Sequence, residues 1–234
     1  MKRVETPAKD NRRPIKSYVL RSFSLKPSQQ QAIDQYSQEY AIEFDSSKPI
    51  DFTSLFNREA ETIIEIGFGM GRSTIEIAKQ FPHKNFLGIE VFLNGYAHIL
   101  KELAQHHITN VKVIRFDAVE VLEKMILDNS VDGFHIFFPD PWPKKKHHKR
   151  RLIQLPFSTL LQQKLKSGAY IYCVTDWEEY ANQMLSVFDQ TPNIINVHHG
   201  FAPPKTWRPT TSFEKKGLEK KHPINEVWVE KHYK

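Results

Sequence analysis

Five short apolar runs recur through the middle of the chain. Their apolar residues are nearly continuous instead of alternating with polar ones, and several runs stop at a glycine, an acid or a proline. Strands that are buried on both faces of a parallel sheet have this pattern. We therefore predict strands at residues 62–67, 85–90, 111–118, 131–139 and 169–175.

The segments between these runs carry apolar residues at helical spacing. Alternating strands and helices favour a doubly wound, Rossmann-like α/β fold with a mostly parallel sheet. The side chains predicted to pack on this sheet are Ile75, Ile77, Ala78 and Phe81 in one helix, and Ile99, Leu100 and Leu103 in the next.

Both ends of the chain depart from this alternation. Residues 193–199 and 224–232 predict two further strands, with an antiparallel strand at the C-terminal end. Residues 1–30 are polar and basic and contain three prolines, which is typical of a flexible arm. No linker or repeat follows residue 60, so residues 31–234 are predicted to form a single domain.

Composition narrows the class of protein. The hydrophobic fraction is 40%, no stretch approaches the roughly 18 consecutive apolar residues of a membrane span, and the first residues lack the apolar segment of a signal peptide. Cys173 is the single cysteine and lies in an apolar run, which favours a buried, inert thiol. These features predict a cytoplasmic protein.

Charge is unevenly distributed along the chain. The net charge is +6, yet residues 31–143 carry −8, whereas residues 1–30 and residues 144–151 carry +6 each. Two concentrated basic elements on an acidic body, with aromatic residues beside one of them, favour a protein that binds nucleic acid. A solvated tail and a solvated loop are the alternative interpretation.

The first strand runs into Gly67, Gly69 and Gly71, and a helix follows. Glycines allow a tight turn and close approach of a ligand, but the G-x-G-x-G spacing is not that of dinucleotide enzymes. Glu65 precedes the glycines and would repel a pyrophosphate, whereas it suits a ligand with an ammonium group, such as S-adenosylmethionine (SAM). A purely structural turn is the alternative.

Acids also end the next two strands. Glu90 lies 19 residues after Gly71, close to the spacing at which an acid binds ribose hydroxyls in Rossmann folds. Asp117 could accept a hydrogen bond from an adenine amino group while the backbone of Ala118 contacts the ring. Asp117 could equally cap the following helix.

The fourth strand ends in FPDPWP (138–143), directly before the basic block KKKHHKRR (144–151). Prolines stiffen a loop, so this one is predicted to hold Asp140 and Trp142 at the mouth of the site. The alternative is a rigid turn that merely ends the strand.

Two further segments, TDWE (175–178) and TSFE (211–214), fit the capping box that starts a helix. The eleven histidines show no metal-ligand spacing and no cysteine cluster joins them, so no metal is predicted.

The glycine loop, Glu90, Asp117, the FPDPWPK segment, the H-x-K-R-R that follows, Asp176 and TSFE occur in an order that resembles the bacterial tRNA (guanine-N7-)-methyltransferases. The resemblance covers residues 60–230 and implies a class I SAM-dependent methyltransferase fold. It implies methylation of N7 of guanosine at position 46, in the variable loop of tRNA. No role is transferred to residues 1–30.

The resemblance also implies a set of roles. The SAM site would comprise Glu65, Gly67, Gly69, Gly71, Glu90, Asp117, Ala118 and Asp140. The substrate would meet Lys144, Asp176, Thr211, Ser212, Phe213 and Glu214, and the RNA would meet Lys146, His147, His148, Lys149, Arg150 and Arg151.

Methylation at N7 needs no general base, because this nitrogen has an in-plane lone pair and no proton to lose. Asp140 is the predicted catalytic residue, since a carboxylate stabilises the positive charge that the guanine acquires. Trp142 or a neighbouring ring could stack on the base. The alternatives are a different RNA acceptor atom, a non-catalytic RNA-binding protein, and a nicotinamide-dependent oxidoreductase.

Overall fold

A central sheet of seven strands organises the described part of the chain. The computed structural model describes residues 16–19, 24–211, 214 and 223–232. The strands are β1 (Thr62–Ile66), β2 (Asn85–Ile89), β3 (Val111–Ile114), β4 (Val131–Phe137), β5 (Leu165–Thr175), β6 (Ile194–Ile195) and β7 (Asn225–Lys231). Their order across the sheet is β3-β2-β1-β4-β5-β7-β6, with β7 antiparallel to β5 and β1 to β5 mutually parallel. This confirms the predicted doubly wound, mostly parallel α/β sheet.

Helices cover both faces of the sheet. They are α1 (Pro27–Tyr40), α2 (Phe52–Phe56), α3 (Arg72–Gln80), α4 (Leu93–Gln105), α5 (Ala118–Met125), α6 (Leu155–Lys164) and α7 (Glu178–Asp189), and a 3₁₀ helix spans Lys145–Arg150. One apolar cluster packs α5, α6 and α7 on one face, and a second packs α1, α3 and α4 on the other. All five residues of β1 are buried, which explains its continuous apolar pattern.

The predicted core positions are confirmed. Ile75, Ile77 and Ala78 of α3 are buried, and Ile99, Leu100 and Leu103 of α4 are completely so. Phe81 is partly buried directly after α3. Cys173 is completely buried in β5, and this burial raises the pKa of its thiol.

The strand predicted at residues 193–199 is shorter than expected. Only Ile194–Ile195 pair, because the side chain of Asn196 then closes a turn. Its carbonyl oxygen accepts from the His198 amide at 3.0 Å, and its amide group donates to the Gly200 carbonyl at 2.9 Å. Asparagine commonly competes with a strand in this way.

The boundary of the predicted arm crosses a helix. Residues 27–30 form the first turn of α1, with Pro27 at its first position, where the missing N–H is not needed. Residues 1–15 and 20–23 lie outside the described residues, so the division into arm and domain stays a prediction.

Candidate active site

The loops after β1 and β4 face each other at the carboxyl edge of the sheet. These strands are adjacent, but β2 follows β1 on one side and β5 follows β4 on the other. A sheet opens a crevice where its strand order reverses in this way, and ligands bind there. The glycine loop (67–71) and the proline loop (138–143) form the two sides of that crevice.

The glycine loop has a backbone that side chains seldom tolerate. Gly67, Gly69 and Gly71 have φ values of 77°, 56° and 76°, in the left-handed region. A Cβ at Gly67 or Gly69 would meet no atom within 4 Å, so the space beside both is open to a ligand. A fourth glycine, Gly95 of α4, was not predicted; a Cβ there would lie 1.9 Å from the Gly69 carbonyl oxygen. The lack of a side chain at Gly95 therefore lets α4 pack directly against the glycine loop.

Glu90 joins the glycine loop to the start of α4. One carboxylate oxygen accepts from the Gly69 amide at 2.8 Å, and the other accepts from the amides of Val91 and Phe92 at 2.7 and 3.0 Å. Glu90 therefore fixes the loop as well as lining a cavity.

Glu65 is almost completely buried in β1, with 3% of its surface exposed. Burial raises the pKa of its carboxyl to about 7, and the nearby charge of Glu90 adds to this shift. A buried carboxylate is costly unless a cation pairs with it. This position therefore favours a ligand that carries a positive group.

Two cavities lie on either side of the glycine loop. The smaller, about 230 Å³, contains the acids Glu90, Asp117 and Asp140, and the larger, about 570 Å³, contains Glu65 and Thr211. Both are lined by the same four residues at the crevice: Gly67, Gly69, Phe137 and Phe138. The predicted cofactor residues are thus brought together around one continuous site.

Asp117 performs the alternative role that the sequence left open. One of its oxygens caps α5 by accepting from the Val119 amide at 2.9 Å. The other accepts from Lys16 Nζ at 2.7 Å and from the Tyr18 hydroxyl at 3.0 Å. The cap is compatible with the predicted cofactor role, since Asp117 and Ala118 both line the smaller cavity.

The proline loop holds two residues in a strained conformation. Phe138 and Trp142 have φ values of 52° and 44°, which cost of order 1–3 kcal/mol each for residues with a side chain. Asp140, between them, is exposed and lies on the wall of the smaller cavity. Backbone strain that the surroundings maintain is typical of functional loops.

Arg151 is a buried member of the predicted RNA surface. Its side chain is 1% exposed, and it donates to the Pro141 carbonyl at 2.8 Å as well as to Gln183 and Glu179 of α7. The guanidinium is used to hold the proline loop against α7. This burial leaves Arg151 little surface for RNA, so its predicted RNA contact stays a prediction.

The rest of the basic block divides by residue type. Lys144, Lys146 and Lys149 are exposed. Their predicted contacts, with substrate for Lys144 and with RNA for Lys146 and Lys149, stay predictions. His147 and His148 are partly exposed, and partial burial together with the neighbouring lysine charges lowers the pKa of His147. Arg150 is partly buried and binds residues near the N-terminus of the chain.

Only one of the two predicted capping boxes forms. The Glu214 amide donates to Thr211 Oγ1 at 3.0 Å, and the Thr211 amide donates to the Glu214 carboxylate at 3.4 Å. In TDWE, the N-cap of α7 is Trp177, whose side chain makes no capping bond; Thr175 Oγ1 accepts only from the Trp177 amide. The capping box predicted at Thr175 is wrong, because α7 begins two residues later than a cap at Thr175 would require.

The predicted substrate residues are dispersed. Thr211 lines the larger cavity, whereas Lys144 and Asp176 line neither cavity. Glu214 is buried and pairs with Arg208 at 2.6 Å, so it supports Thr211 from behind. Ser212 and Phe213 lie outside the described residues.

The sequence did not predict that residues 16–18 contribute to the wall of the smaller cavity. Ser17 and Tyr18 line the smaller cavity beside Glu90 and Asp117. Their surrounding sequence carries no recognisable motif, so only the hydrogen-bond partners of Asp117 and Trp142 reveal them. Within the same described ranges, no group of three or more histidines, cysteines and acids is close enough to hold a metal, and no helix is long and apolar enough to cross a membrane.

Solved structures support the fold. A structure described as an antibiotic-related methyltransferase aligns with 81% of this chain and 99% of its own at a TM-score of 0.52 and 17% identity. The 16S rRNA methyltransferase KamB aligns with 80% of this chain and 95% of its own at a TM-score of 0.58 and 12% identity. At these identities the likeness concerns the fold alone, which is that of the class I methyltransferases.

Sequence comparisons give the family. Residues 59–227 match a family model described as "Putative methyltransferase". A Francisella philomiragia protein named tRNA (guanine-N(7)-)-methyltransferase is 45% identical over 96% of this chain and 98% of its own length. Proteins of the same name from Paraburkholderia xenovorans and Neisseria gonorrhoeae are each 46% identical, over 92% and 91% of this chain and 82% and 89% of their own. This chain therefore belongs to the tRNA (guanine-N(7)-)-methyltransferase family.

Proposed function

We propose that this protein transfers a methyl group from SAM to N7 of guanosine at position 46 in the variable loop of tRNA. The observation that carries the proposal is the pair of cavities around the glycine loop, with Glu65 at one, Glu90 and Asp117 at the other, and Asp140 beside the crevice. The names of the relatives support the choice of tRNA and of N7. A tRNA substrate also supports a place in the cytoplasm.

The donor groups of the site fit SAM. Glu65 would pair with the amino group of its methionine end, and Arg72, on the same cavity, would pair with its carboxylate. Glu90 would accept from the ribose hydroxyls, and Asp117 and Ala118 would border the adenine. The G-x-G-x-G spacing and the acid at Glu65 do not suit a pyrophosphate, which disfavours a nicotinamide cofactor. When bound, SAM supplies an electrophilic methyl group on a sulfonium.

The residues of this chain then act by position and charge. Guanine N7 carries its own lone pair, so no side chain needs to remove a proton before the methyl group is transferred. The methylated base becomes positively charged, and Asp140 stabilises that charge because its carboxylate lies at the crevice. Prolines on both sides and the strained backbone at Phe138 and Trp142 keep Asp140 in a fixed place.

The exposed lysines of the basic block would hold the RNA. Lys144, Lys146 and Lys149 directly follow the proline loop, so phosphates bound there place a nearby base at the crevice. Such contacts fix the register of the RNA without reading its sequence.

Nucleoside analysis tests the proposal. Unmodified tRNA is incubated with the protein and SAM carrying a deuterated methyl group, then digested and analysed by mass spectrometry. We expect labelled 7-methylguanosine, mapped to position 46, from tRNAs with guanosine there, and none when that guanosine is replaced by adenosine. Label in another nucleoside would indicate a different acceptor atom, and the absence of label would indicate a non-catalytic RNA-binding protein.

A further inference from the structure

A short segment from the N-terminal side of the chain covers the cofactor site. We call residues 16–18 the strap. Its members Ser17 and Tyr18 line the smaller cavity, as do Gly67 and Gly69. The strap is distant in sequence from every strand-end motif, yet it forms part of the wall of the proposed adenine and ribose site.

The strap is bound through three consecutive backbone carbonyls. Arg150 donates from Nε to the Lys16 carbonyl at 3.2 Å and from Nη2 to the Tyr18 carbonyl at 3.3 Å. Trp142 Nε1 donates to the Ser17 carbonyl, between them, at 3.0 Å. The donors come from the proline loop and from the basic block, which are the parts of the molecule assigned to the base and to RNA.

Side chains of the strap complete the attachment on the cavity side. Lys16 and Tyr18 both donate to the same oxygen of Asp117, and Lys16 also reaches Glu120 at 3.1 Å. The hydrogen bond to Asp117 raises the pKa of Lys16, and burial raises the pKa of Tyr18, so the strap presents an ammonium and a neutral phenol to this acid at neutral pH. Asp117 is thus held by two sets of contacts, its own cap of α5 and the strap.

We propose that Arg150 is a positioning residue for the cofactor: by fastening the strap, it contributes to SAM binding even in the absence of RNA. This inference rests on the proposed function of the site. In the simpler alternative, the two sets of residues have separate roles: the basic block binds only RNA, and the strand-end acids bind only SAM.

The geometry at this position suits an arginine better than a lysine. The two carbonyls that Arg150 binds are two residues apart, and a guanidinium presents several N–H donors in a fixed plane, whereas a lysine ammonium is a compact point charge. The guanidinium also lies over the Trp142 ring, 4.2 Å from its centroid. Lys48, on the body of the domain, has a side chain that is 80% exposed and offers a control for the loss of one positive charge.

Calorimetry of S-adenosylhomocysteine binding, without RNA, tests the inference. For Arg150→Met we expect binding weaker by about fivefold to tenfold, from two lost hydrogen bonds, and for Lys48→Met binding within about twofold of wild type. Arg150→Lys should bind nearly as weakly as Arg150→Met, because it keeps the charge but not the paired geometry. Equal affinity of Arg150→Met and wild type would overturn the proposal.

A double-mutant cycle separates a fastened strap from general damage. Tyr18→Ala should also weaken S-adenosylhomocysteine binding, and Arg150→Met should add less than about twofold to it, because both variants disable the same segment. Full additivity of the two losses of affinity would overturn the proposal. The melting temperature of Arg150→Met is measured as well, and a decrease large enough to explain its weaker binding by unfolding would also overturn the proposal. The binding assay contains no methyl acceptor, so it does not depend on methyl transfer. If the wild-type protein binds S-adenosylhomocysteine but does not label tRNA in the nucleoside analysis, the proposed function is refuted and this inference stands.

Discussion

The glycine loop and the proline loop face each other across one crevice but are built by opposite means. The glycine loop removes side chains so that a ligand can approach its backbone, and it is held from outside by Glu90 and by the close packing of Gly95. The proline loop restricts its backbone so that Asp140 and Trp142 stay in place, and it is held by Arg151. One loop provides space and the other provides fixed chemical groups.

This difference predicts whether a substitution in each loop changes ligand affinity or reaction rate. An acid-to-amide change beside the glycine loop alters ligand affinity, since the loop acts through binding. The same change in the proline loop alters the rate, since that loop acts on charge that develops during the reaction. Variants of each loop should therefore differ in which constant they change.

The largest effect is expected at the proline loop. Asp140→Asn keeps the size of the side chain but removes its charge, so methyl transfer in a single turnover should slow by about 100- to 1,000-fold. SAM affinity should change by less than about threefold. Asp189→Asn, an exposed acid at the end of α7, is the control and should keep the wild-type rate. A wild-type rate for Asp140→Asn would remove the electrostatic role.

Stability should distinguish Arg151 from its lysine neighbours. Arg151→Met removes hydrogen bonds from a buried site between the proline loop and α7, so the free energy of unfolding should fall by about 2–4 kcal/mol. Lys149→Met, at an exposed position of the same block, should change it by less than about 0.5 kcal/mol. Urea unfolding followed by circular dichroism measures both. Equal midpoints would mean that Arg151 does not hold the loop.

At the glycine loop, Glu90→Ala should weaken SAM binding by about 1.5–3 kcal/mol, because it removes charge-assisted hydrogen bonds to the ribose and support for the Gly69 amide. Glu123→Ala, an exposed acid on α5, is the control. Calorimetry that gives both variants the wild-type affinity would exclude Glu90 from the site.

A pH dependence follows from Glu65. Its pKa is raised to about 7, so the free protein holds a proton there below that pH, and binding an ammonium group requires that proton to leave. Affinity for S-adenosylhomocysteine should therefore fall as pH decreases below about 7, by up to about tenfold per unit, and level off above it. The amino group of the ligand, with a pKa of roughly 8, stays charged in this window.

Glu65→Gln provides the matched control for that pH profile. It should bind weakly and show no pH dependence between about pH 5 and 7. Calorimetry in buffers of different ionisation enthalpy should detect proton release from wild type only. A persistent pH dependence in Glu65→Gln would assign the titration to another group.

The sequence was sufficient for what depends on local pattern. Continuous apolar runs identified the strands that carry the site, and the acids and glycines at their ends followed from strand order. It was insufficient where two segments distant in sequence meet. Arg151 and Lys149 belong to one basic run, yet the contact with α7 buries only Arg151, and nothing in a run of like charges distinguishes them. The strap was missed for the same reason.

The last and smallest effect is expected on the RNA side of the proline loop. Each lysine that binds a phosphate releases counterions, so tRNA affinity should fall steeply as salt rises. Replacing Lys144, Lys146 and Lys149 together by alanine should reduce the slope of log affinity against log salt by up to about three phosphates' worth. Lys48, Lys79 and Lys101 on the body of the domain form a control set of equal charge.

The comparison of the two triple variants separates local contact from net charge. If the basic block binds RNA through specific phosphates, its triple variant flattens the salt dependence more than the control set does. S-adenosylhomocysteine affinity should stay within about twofold of wild type in both, because Arg150 and the strap are intact. Filter-binding titrations at several salt concentrations give the slopes. Equal slopes would show that RNA binding depends on overall charge and not on specific phosphate contacts of the basic block.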